Sequence, residues 1–564
     1  MSALPKIEAI EGRPLNEEQK HYLSGYFSGL ASKGVTFGEA ARVSETPGAP
    51  LILEERVKQE EHPLDSFYRI TERAARNEPP DKEDTFRFKW NGLFYLTPIK
   101  DAFMARLRIP GGQLKTFQLR EIASIAKELT TGYVQITTRA NLQIRLIQPK
   151  HAPEVLRRIQ SVGLHTRGAG ADNIRNLTCN PTAGVDPCEL IDCTPFIHEL
   201  GQFILAHREF YNLPRKFNIA MDGGGLIGAV EDTNDIGIKA IKHDGRIGFR
   251  IAVGGATGHK SFARDLGVFV APEEIVRVIV ALIRVYIASG NRGDRKKARL
   301  KHLLEKWTLD QYLSEAEKLL GKTLERVPFH STALEYPAEK VAHSHVGAFP
   351  QKQPGLNYLG VAVPVGQITP KQLLRLADLV DHYGSGEIRL TVWQNFIIPN
   401  IPDAYLESIK RDICRLGLDY RQSNIASGVI ACTGNAYCKF SSTDTKGHAL
   451  ALIKHLESRI KLDVPVNIHF TGCPNSCAQH YMGDIGLLGI KSNGLEAYHI
   501  FLGGGFGGKQ AVGRQVFQGM PFEEIKPMIE KILRLYLKNR NEKESFQSFT
   551  TRHDLNALQT MFSA

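Results

Sequence analysis

The segment Arg108-Ile-Pro-Gly-Gly-Gln-Leu recurs as Ala362-Val-Pro-Val-Gly-Gln-Ile, at positions that differ by 254. The same spacing relates further positions without a gap: Gly132, Thr137, Asn141 and Gly163 match Gly386, Thr391, Asn395 and Gly417. Self-similarity at a fixed spacing indicates a structural unit that is repeated along the chain. The fold is therefore predicted to be duplicated, with a first copy that begins near residue 96 and a second copy that begins near residue 356.

The similarity continues in the rear part of each copy, at a spacing of 249. Three short segments carry it: Phe217-Asn-Ile matches Val466-Asn-Ile, Asp235-Ile-Gly matches Asp484-Ile-Gly, and Val253-Gly-Gly matches Leu502-Gly-Gly. The duplication therefore includes both a front and a rear part of each copy.

Hydrophobic periodicity predicts the same element order, βαββα, in the front part of both copies. The predicted helices are Phe117 to Leu129 and Lys371 to Tyr383, and the strands that follow them are Tyr133 to Thr138 and Glu387 to Val392. This order fits a small antiparallel sheet with helices on one face, as in a ferredoxin-like half domain. We expect the two halves to pair edge to edge into one pseudo-twofold domain of the α+β class.

The rear parts mix strands with Gly-Gly turns and close with an amphipathic helix, which predicts two mixed α/β domains. The expected boundaries are an N-terminal extension that wraps the core at 1–95, ferredoxin-like half 1 at 96–170, a first α/β domain at 171–330, a linker at 331–355, ferredoxin-like half 2 at 356–422 and a second α/β domain at 423–564.

The chain has 564 residues, of which 42% are hydrophobic and 23% are charged. This composition supports three or four packed domains and excludes a mainly disordered protein. The longest apolar helical stretch, Ile275 to Ala288, is interrupted by Arg277 and Arg284, so no transmembrane segment is expected. The N-terminus has no apolar signal core, which predicts a cytoplasmic protein whose cysteines are thiols.

Four of the eight cysteines have the spacing of metal ligands. Cys432 and Cys438 form a C-x5-C pair, and Cys473 and Cys477 form a C-x3-C pair, both in turn-rich loops. Four thiolates suit either tetrahedral zinc or an iron–sulfur cluster, and these spacings are loose for a zinc knuckle. Reduced, unliganded thiols are the alternative. Buried thiols are the default expectation for the four remaining cysteines, namely Cys179, Cys188, Cys193 and Cys414.

At these cysteines the chain resembles the sirohaem and [4Fe-4S] nitrite and sulfite reductases, and within them the ferredoxin-dependent assimilatory nitrite reductases. The resemblance includes the duplication, the Arg108-Ile-Pro-Gly-Gly and Leu213-Pro-Arg-Lys-Phe motifs, and both cysteine pairs. It implies that Cys432, Cys438, Cys473 and Cys477 hold a [4Fe-4S] cluster. It also implies that Cys477 bridges the cluster to the sirohaem iron, so that electrons that arrive singly reach the substrate.

Cationic side chains are concentrated in the first copy. Reduction of an oxyanion needs positive charge to bind the anion and proton donors to remove its oxygens as water. At repeat-related positions the second copy has Gly360 for Arg106 and Trp393 for Arg139. Because the cations lie in one copy and the cysteines in the other, the active site is predicted at the interface between the copies. The alternative is that these arginines are solvated surface residues.

The resemblance assigns roles to individual residues. The expected substrate-side residues are Arg106, Arg175, Lys216 and Asn218. The expected cofactor-binding residues are Arg108, Arg139, Gln143, Arg145, Arg299, Asn475, Gly503 and Gly504. The two glycines are expected to let the backbone approach the macrocycle, since the Gly503 to Gly508 segment lacks the Lys-Ser/Thr ending of a phosphate-binding loop.

The choice between nitrite and sulfite depends mainly on Asn218. Sulfite reductases that resemble this chain have a second lysine at that position, which suits a substrate close to a dianion. Asn218 therefore favours nitrite, and Ser476 and the stretch Phe86-Arg-Phe-Lys-Trp point the same way. The predicted reaction is the six-electron reduction of nitrite to ammonium.

No nicotinamide or flavin module is visible, so the electrons are expected from a small acidic ferredoxin that binds a chain of net charge +11. The basic run Arg292 to Lys301 is a candidate docking or carboxylate-binding element, with a solvated helix start as its alternative. A monomer is expected, because the architecture contains its own twofold. The rival functions are an assimilatory sulfite reductase, a cobalamin-pathway monooxygenase and a non-catalytic electron carrier or zinc protein. Nucleic-acid binding is the least favoured, since no zinc finger or RNP motif is present.

Overall fold

A computed structural model of the chain describes residues 51–95, 99, 102–130, 132–328, 334–335, 345–421 and 423–563, together with 9–10, 13–14 and 20. The chain divides into two compact units, Met1–Ile52 and Leu53–Ala564. In the first unit, β1 (Ala9–Ile10) pairs antiparallel with β2 (Arg13–Pro14). The first part of the predicted N-terminal wrapping segment, residues 1–50, lies outside the described residues except for 9–10, 13–14 and 20, as does part of the predicted linker. All further elements belong to the second unit.

The helices of the second unit are α1 (Leu53–Glu60), α2 (Phe67–Arg76), α3 (Lys82–Arg87), α4 (Thr116–Glu128), α5 (Ala152–Ser161), α6 (Thr194–Ala206), α7 (Ile275–Ser289), α8 (Leu300–Leu303), α9 (Leu309–Leu320), α10 (Pro370–Tyr383), α11 (Leu406–Arg415), α12 (Thr445–Glu457), α13 (Phe522–Asn539), α14 (Phe546–Thr551) and α15 (Leu555–Ser563).

The strands up to the linker are β3 (Leu93–Tyr95), β4 (Phe103–Arg106), β5 (Gln113–Lys115), β6 (Val134–Ile136), β7 (Leu142–Ile147), β8 (Thr178–Cys179), β9 (Ile219–Asp222), β10 (Ile236–His243), β11 (Arg246–Val253), β12 (Arg264–Asp265), β13 (Val268–Phe269), β14 (Glu325–Arg326) and β15 (Leu334–Glu335). Those that follow are β16 (Gly347–Pro350), β17 (Leu356–Val361), β18 (Gln367–Ile368), β19 (Glu387–Leu390), β20 (Phe396–Pro402), β21 (Val429–Ala431), β22 (Ile468–Thr471), β23 (Ile485–Ser492), β24 (Leu495–Leu502) and β25 (Arg514–Pro521). The predicted α+β class is confirmed.

The two front sheets exchange strands instead of simply meeting at their edges. Their strand orders are β18-β6-β7-β4-β3 and β16-β17-β20-β19-β5, so each copy contributes one short strand to the sheet of the other. Each exchanged strand directly follows a glycine with positive φ, Gly112 at 71° and Gly366 at 69°. A Cβ would lie 2.7 Å from the Leu390 carbonyl oxygen at Gly112 and 2.6 Å from the Ile136 carbonyl oxygen at Gly366. The repeated motif therefore contains glycine where one copy crosses closely over the other.

Both front halves share one hydrophobic core under the helices. It includes Leu119 and Ile122 of α4 and Leu376 of α10, together with inward residues of both sheets such as Ile144 and Ile398. Because successive side chains of a strand point to opposite faces of the sheet, the residues on the face away from the core need not be hydrophobic. In the first copy that face carries cations, as described below.

The two rear sheets repeat one topology. Parallel strands β8, β9 and β10 continue into antiparallel β11, and parallel β21, β22 and β23 continue into antiparallel β24. The apolar helix α7 packs in the first rear core and α13 in the second, with Ile279 and Ile529 fully buried. None of the helices in the described part of the chain is both long and apolar enough to cross a lipid bilayer.

Candidate active site

The outer face of the first front sheet carries a row of cations. Ala105, Leu107 and Ile144 point into the core, so their sequence neighbours point to the opposite face. That face carries Arg106, Arg108, Gln135, Gln143 and Arg145. The period of two along β4, β6 and β7 therefore separates a hydrophobic face from a cationic one.

Arg106 and Arg175 lie in the same group of charges. The Arg106 guanidinium donates to the Ala169 carbonyl oxygen at 3.3 Å and lies 4.4 Å from the centre of the Phe94 ring. Arg175 donates to the Ala171 carbonyl oxygen at 2.7 Å, and its Nη1 is buried without a partner among the described residues. Burial lowers the pKa of both groups, and the charge of Arg106 lowers that of Arg175 further. A guanidinium N–H that is buried without a partner is a ready donor for an anion.

Among the lysines beside these arginines, Lys216 has the most strongly shifted pKa. Burial and the charge of Arg299 lower its pKa to about 7, while the thiol of Cys477 acts in the opposite direction. Its side chain is half-buried, so it borders a largely desolvated space rather than bulk solvent. A lysine with a pKa near 7 can both hold and release a proton at neutral pH.

Asn218 lies two residues further along, at the start of the first rear sheet. Its backbone N–H donates to Asp235 Oδ2 at 2.8 Å, and its side-chain Oδ1 is buried without a partner in the described part of the chain. Arg299 makes a two-pronged ion pair with Asp235, with distances of 3.1 and 2.7 Å. Arg299 is therefore compensated by a carboxylate of the chain itself, which the sequence analysis did not anticipate.

Two other predicted cofactor-binding cations of the first copy, Arg139 and Arg108, are buried, and they differ in how many of their N–H groups have a hydrogen-bond partner. Arg139 donates to Asn234 Oδ1 at 2.8 Å. Arg108 donates to the Ile174 carbonyl oxygen at 2.9 Å, but its Nε and Nη2 have no partner within the described residues. Burial lowers the pKa of each to about 10. Arg108 thus retains free donors, whereas one nitrogen of Arg139 is already engaged.

Arg145 connects the first copy to the cysteine loop. It donates to Gln135 and Gln143 at 2.6 Å each and to Thr433 Oγ1 at 2.9 Å, and it lies 5.3 Å from the centre of the Tyr437 ring. Thr433 and Tyr437 belong to the C-x5-C segment. The structure therefore places Arg145 and Gln143 against that segment.

The two cysteine loops lie side by side, after strands β21 and β22. The backbone N–H of Cys432 donates to the Phe470 carbonyl oxygen at 3.0 Å, and the N–H of Gly472 donates to Cys432 Sγ at 3.3 Å. The N–H of Ser442 donates to the Gly472 carbonyl oxygen at 2.8 Å. Parallel pairing of β21 with β22 thus brings segments that are about 35 residues apart in the sequence to one end of the sheet.

Cys477 lies where the cysteine loops meet the cationic face. Its side chain is accessible, yet burial is the main reason that its pKa rises to about 11. The charges of the other three cysteines raise this pKa further, and Lys216 lowers it. A group that is accessible and yet strongly desolvated lies in a concave part of the surface, which is called the cleft below.

The residues around this cleft fit the two groups that the resemblance implies. The four cysteines influence one another electrostatically, but within the described ranges no three His, Cys, Asp or Glu side chains converge closely enough to hold a single metal ion. Four thiols on two adjacent loops match the donor set of an iron–sulfur cluster. Buried N–H groups of Arg108, Gln135 and Arg175 have no partner in the described part of the chain, which suits a macrocycle rich in carboxylates.

In the second copy, as far as the structure describes it, protein atoms fill the place that corresponds to the cleft. A Cβ on Gly360, the counterpart of Arg106, would overlap the His345 carbonyl oxygen. The ring of His345 stacks on Trp393, the counterpart of Arg139, with 5.3 Å between ring centres. The asymmetry that the sequence indicated therefore corresponds to one open site and one filled site.

The cofactor-binding role expected of Gly503, Gly504 and Asn475 stays a prediction. A Cβ on Gly503 would lie 2.7 Å from Thr550 Oγ1, and one on Gly504 would lie 2.6 Å from the Tyr481 carbonyl oxygen. Their close approach is therefore to the chain itself. Asn475 is exposed on the loop surface. Cys188 and Cys414 are exposed, unlike Cys179 and Cys193, so the expectation of buried thiols is wrong for the first two.

Three arginines of the basic run Arg292 to Lys301 are used inside the protein, whereas Lys296 and Lys297 are exposed, so the docking role of this run stays a prediction. Arg292 pairs with Glu55 at 3.1 Å, and Arg295 pairs with Asp172 at 2.6 Å. Together with the Arg299 pair, these contacts anchor helix α1 and the first rear sheet. The cations contribute to packing in this segment.

Asn176 and Asn234 organise the site and were missed as functional positions. Asn176 Nδ2 donates to the Ile109 carbonyl oxygen at 2.8 Å and to the Arg139 carbonyl oxygen at 3.0 Å. Asn234 accepts from the Arg139 guanidinium, as described above. Asn176 belongs to the Asn173-Ile-Arg-Asn segment that drew attention for Arg175, but only tertiary contacts show its role.

Family models match nearly all of the duplicated region. The nitrite and sulphite reductase 4Fe-4S domain matches residues 170–324 and 424–559. The nitrite/sulfite reductase ferredoxin-like half domain matches residues 98–162 and 349–416. Each model matches twice, once in each copy, as the internal repeat requires.

Individual proteins are similar over most of their length. A ferredoxin–nitrite reductase of Synechococcus elongatus is 37% identical over 468 residues, which cover 81% of this chain and 90% of the relative. A chloroplastic ferredoxin–nitrite reductase of Zea mays is 33% identical, with 86% of this chain and 89% of the relative covered. The solved structure of the Mycobacterium tuberculosis NirA protein superimposes with a TM-score of 0.83 at 30% identity and covers 90% of this chain and 98% of that one.

Proposed function

The chain belongs to the nitrite and sulphite reductase family, and from that premise we propose that it reduces nitrite to ammonium with electrons from a ferredoxin. The names of the similar curated proteins support nitrite as substrate and ferredoxin as donor. The reaction consumes one nitrite, six electrons and eight protons, and yields one ammonium and two waters.

The proposed cofactors are a [4Fe-4S] cluster and a sirohaem. Cys432, Cys438, Cys473 and Cys477 would hold the cluster, and Cys477 would also help to hold the sirohaem. Cations on the first copy would bind the sirohaem carboxylates: Arg108, Arg139, Arg145 and Arg299, with Gln143 beside them. When bound, the two groups supply single electrons and an iron coordination position for the substrate nitrogen.

The residues of the chain bind the anion and deliver protons. Arg106 and Arg175 provide fixed positive charge in a desolvated site, where electrostatic attraction to an anion is stronger than in water. Lys216 Nζ would hold the proton that is transferred to a departing oxygen, since its pKa of about 7 matches neutral conditions. Burial of the cleft limits the access of bulk water.

One observation carries this proposal, namely that hydrogen bonds hold the cationic face of the first copy against the cysteine loops of the second, from Thr138 to the Cys477 carbonyl oxygen and from Arg145 to Thr433 Oγ1, at 2.9 Å each. Lys216 lies close enough to Cys477 for each to shift the pKa of the other. A proton donor, anion-binding cations and an accessible thiol from the opposite copy thus meet in one place. A structural zinc protein would not need desolvated cations beside its ligands.

Asn218 supports nitrite over sulfite. Its Oδ1 lies buried without a partner among the described residues, and the position adds no positive charge beyond that of Lys216. A compact monoanion needs less compensating charge than a near-dianion does. Sulfite reduction is therefore the alternative outcome of the test and not a second proposal.

The test is turnover of purified, anaerobically handled protein with reduced viologen, with nitrite and sulfite offered separately. Ammonium from nitrite with little sulfide from sulfite is expected. Preferential sulfide production would overturn the substrate assignment. If protein that contains iron and sulfide forms neither product, reductase activity itself would be excluded. Replacing viologen by reduced ferredoxin, at low and then high salt, tests the donor, because docking of an acidic donor weakens with ionic strength.

A further inference from the structure

A buried lysine, Lys446, lies beside the cysteine loop and has no role in the site described above. It is the second residue of α12, and its side chain is only 6% exposed. Its ammonium donates to the Val365 carbonyl oxygen and, at 3.5 Å, to the Ala431 carbonyl oxygen. Ala431 directly precedes Cys432. A cation is thus buried against the backbone that presents the first cysteine.

Lys446 has no ion pair in the part of the chain that the structure describes, which is unusual for a buried charge. Its two contacts are neutral carbonyl groups. Among the charged groups around Lys446, Arg145 opposes its protonated form, whereas Cys432 and, more weakly, Asp444 favour it. Burial without a carboxylate costs free energy, so a negative charge at the cysteines would be its natural compensation.

The N-terminus of α12 adds positive potential at the same place. Thr445 Oγ1 donates to the Cys432 carbonyl oxygen at 2.9 Å and lies 3.5 Å from Cys432 Sγ. The free N–H groups of a helix N-terminus stabilise nearby negative charge. The lysine and the helix therefore act in the same direction on the Cys432 thiolate.

The first copy shows that the fold does not require this lysine. Its counterpart helix, α6, also has 13 residues and begins with Thr194, and Pro195 stands where α12 has Lys446. The backbone opposite the helix is retained, since Gly111 and Val365 occupy matching left-handed positions with φ of 65° and 48°. The copy that has the four cysteines is therefore the one that has the buried lysine.

We propose that Lys446 raises the reduction potential of the cluster held by the four cysteines. Reduction adds one electron to a group that is already negative, so a fixed cation in a low-dielectric surrounding stabilises the reduced form more than the oxidised form. Removal of the charge lowers the potential, which makes the cluster harder for an external donor to reduce. This inference rests on the cluster assigned under the proposed function.

The experiment is an anaerobic redox titration of the cluster, followed by electron paramagnetic resonance, in the full-length holoprotein. Lys446→Met removes the charge and the hydrogen bonds, Lys446→Gln keeps a donor without the charge, and Lys446→Arg keeps the charge. Lys454→Met is the matched control, because Lys454 is an exposed lysine of the same helix. Iron and sulfide contents are measured for every variant.

With a full cluster, Lys446→Met and Lys446→Gln should each shift the one-electron equilibrium at least tenfold toward the oxidised form, a change of 59 mV to lower potential for one electron. Lys446→Arg and Lys454→Met should stay near the wild type. A full cluster with unchanged potential in Lys446→Gln overturns the inference. Loss of the cluster in both uncharged variants, but not in Lys446→Arg, also overturns it, because the lysine would then only hold the loop. Wild-type protein without iron and sulfide would instead refute the proposed cofactor.

Discussion

The hydroxyl of Thr138 donates a hydrogen bond of 2.9 Å to the carbonyl oxygen of Cys477, across 339 positions of sequence. Thr138 precedes Arg139 in the cationic loop of the first copy, and Cys477 is the last of the four cysteines that form the two pairs. The bond fixes the two halves of the proposed site against each other. Cations and thiols that the sequence separates into different copies thereby line one cleft.

Substitution of Lys216 should remove most of the activity. Lys216→Met eliminates the proposed proton donor, and nitrite reduction is expected to fall about 100-fold or more. Ammonium formation with reduced viologen is the measurement. Lys242→Met is the control, since Lys242 is an exposed lysine paired with Glu335. An active Lys216→Met enzyme with full cofactor content would remove this residue from the mechanism.

The pH dependence of nitrite reduction should follow the protonation of Lys216. Its pKa is lowered to about 7, so the protonated donor is present below pH 7 and is lost as the pH rises. We expect kcat/KM for nitrite to decline above about pH 7. In Lys216→Arg this decline should disappear, because a guanidinium stays protonated. An identical alkaline limb in both enzymes would assign the titration to another group.

Asn218 should control the choice of substrate. Asn218→Lys adds a charge beside Lys216, and the ratio of kcat/KM for sulfite to that for nitrite should rise about tenfold or more, which corresponds to about 1.4 kcal/mol. A methionine side chain is about as long as a lysine side chain but has no charge, so Asn218→Met should not raise the ratio. If both variants change the ratio equally, side-chain shape rather than charge sets selectivity.

Cys477 should be required for the metal centre. Cys477→Ser is expected to lose most of its iron and acid-labile sulfide, since serine is a poor replacement for a thiolate ligand. Cys414→Ser, at an exposed cysteine of α11, should retain both. Metal and sulfide analyses of the two purified variants make the comparison. Equal loss in both would point to general instability.

The repeat-related carboxylates Asp235 and Asp484 should affect stability in opposite ways. Burial raises the pKa of Asp484 to about 6, so between about pH 4 and 6 the folded state binds more protons than the unfolded state. The protonated Asp484 carboxyl group therefore contributes its full stabilisation of the folded state below about pH 4, and this contribution is lost as the pH rises through about 6. Relative to the wild type, Asp484→Asn should gain up to about 3 kcal/mol over that range.

Asp235→Asn should instead destabilise the protein by about 3 kcal/mol at neutral pH, because it leaves Arg299 buried without its carboxylate. Urea unfolding midpoints at pH 4, 5, 6 and 7 measure both effects. A parallel pH profile for Asp484→Asn and the wild type would contradict the raised pKa. If Asp484→Asn and Asp235→Asn changed the urea midpoint equally, the proposed difference between the surroundings of the two carboxylates would be contradicted.

Much of the front fold was predictable because its signals are local. The helix predicted from Phe117 to Leu129 is Thr116–Glu128, and the one predicted from Lys371 to Tyr383 is Pro370–Tyr383. Their 3.6-residue periodicity reflects burial on one face. The strand exchange through β5 and β18 was not predictable, because strands this short have no periodicity of their own.

The site was predictable as a set of residue types but not as a set of contacts. Cysteine spacing and the unequal distribution of cations between the copies both showed in the sequence. The ion pair of Arg299 with Asp235, the bonds of Arg145 to the cysteine loop and the burial of Lys446 were not visible. Each joins segments that are far apart along the chain.

The sequence by itself determined the duplication, the helices of the front halves and the division of cations and cysteines between the copies, because these depend on composition and on spacing along one segment. Tertiary structure decided which copy has an open cleft and, among the described residues, which arginine N–H groups have no hydrogen-bond partner. It also decided that Lys446 is buried beside the cysteine loop. Those properties depend on what fills the space around a side chain. At Gly360 and Trp393 that space is filled by His345, a residue that no local pattern connects to either.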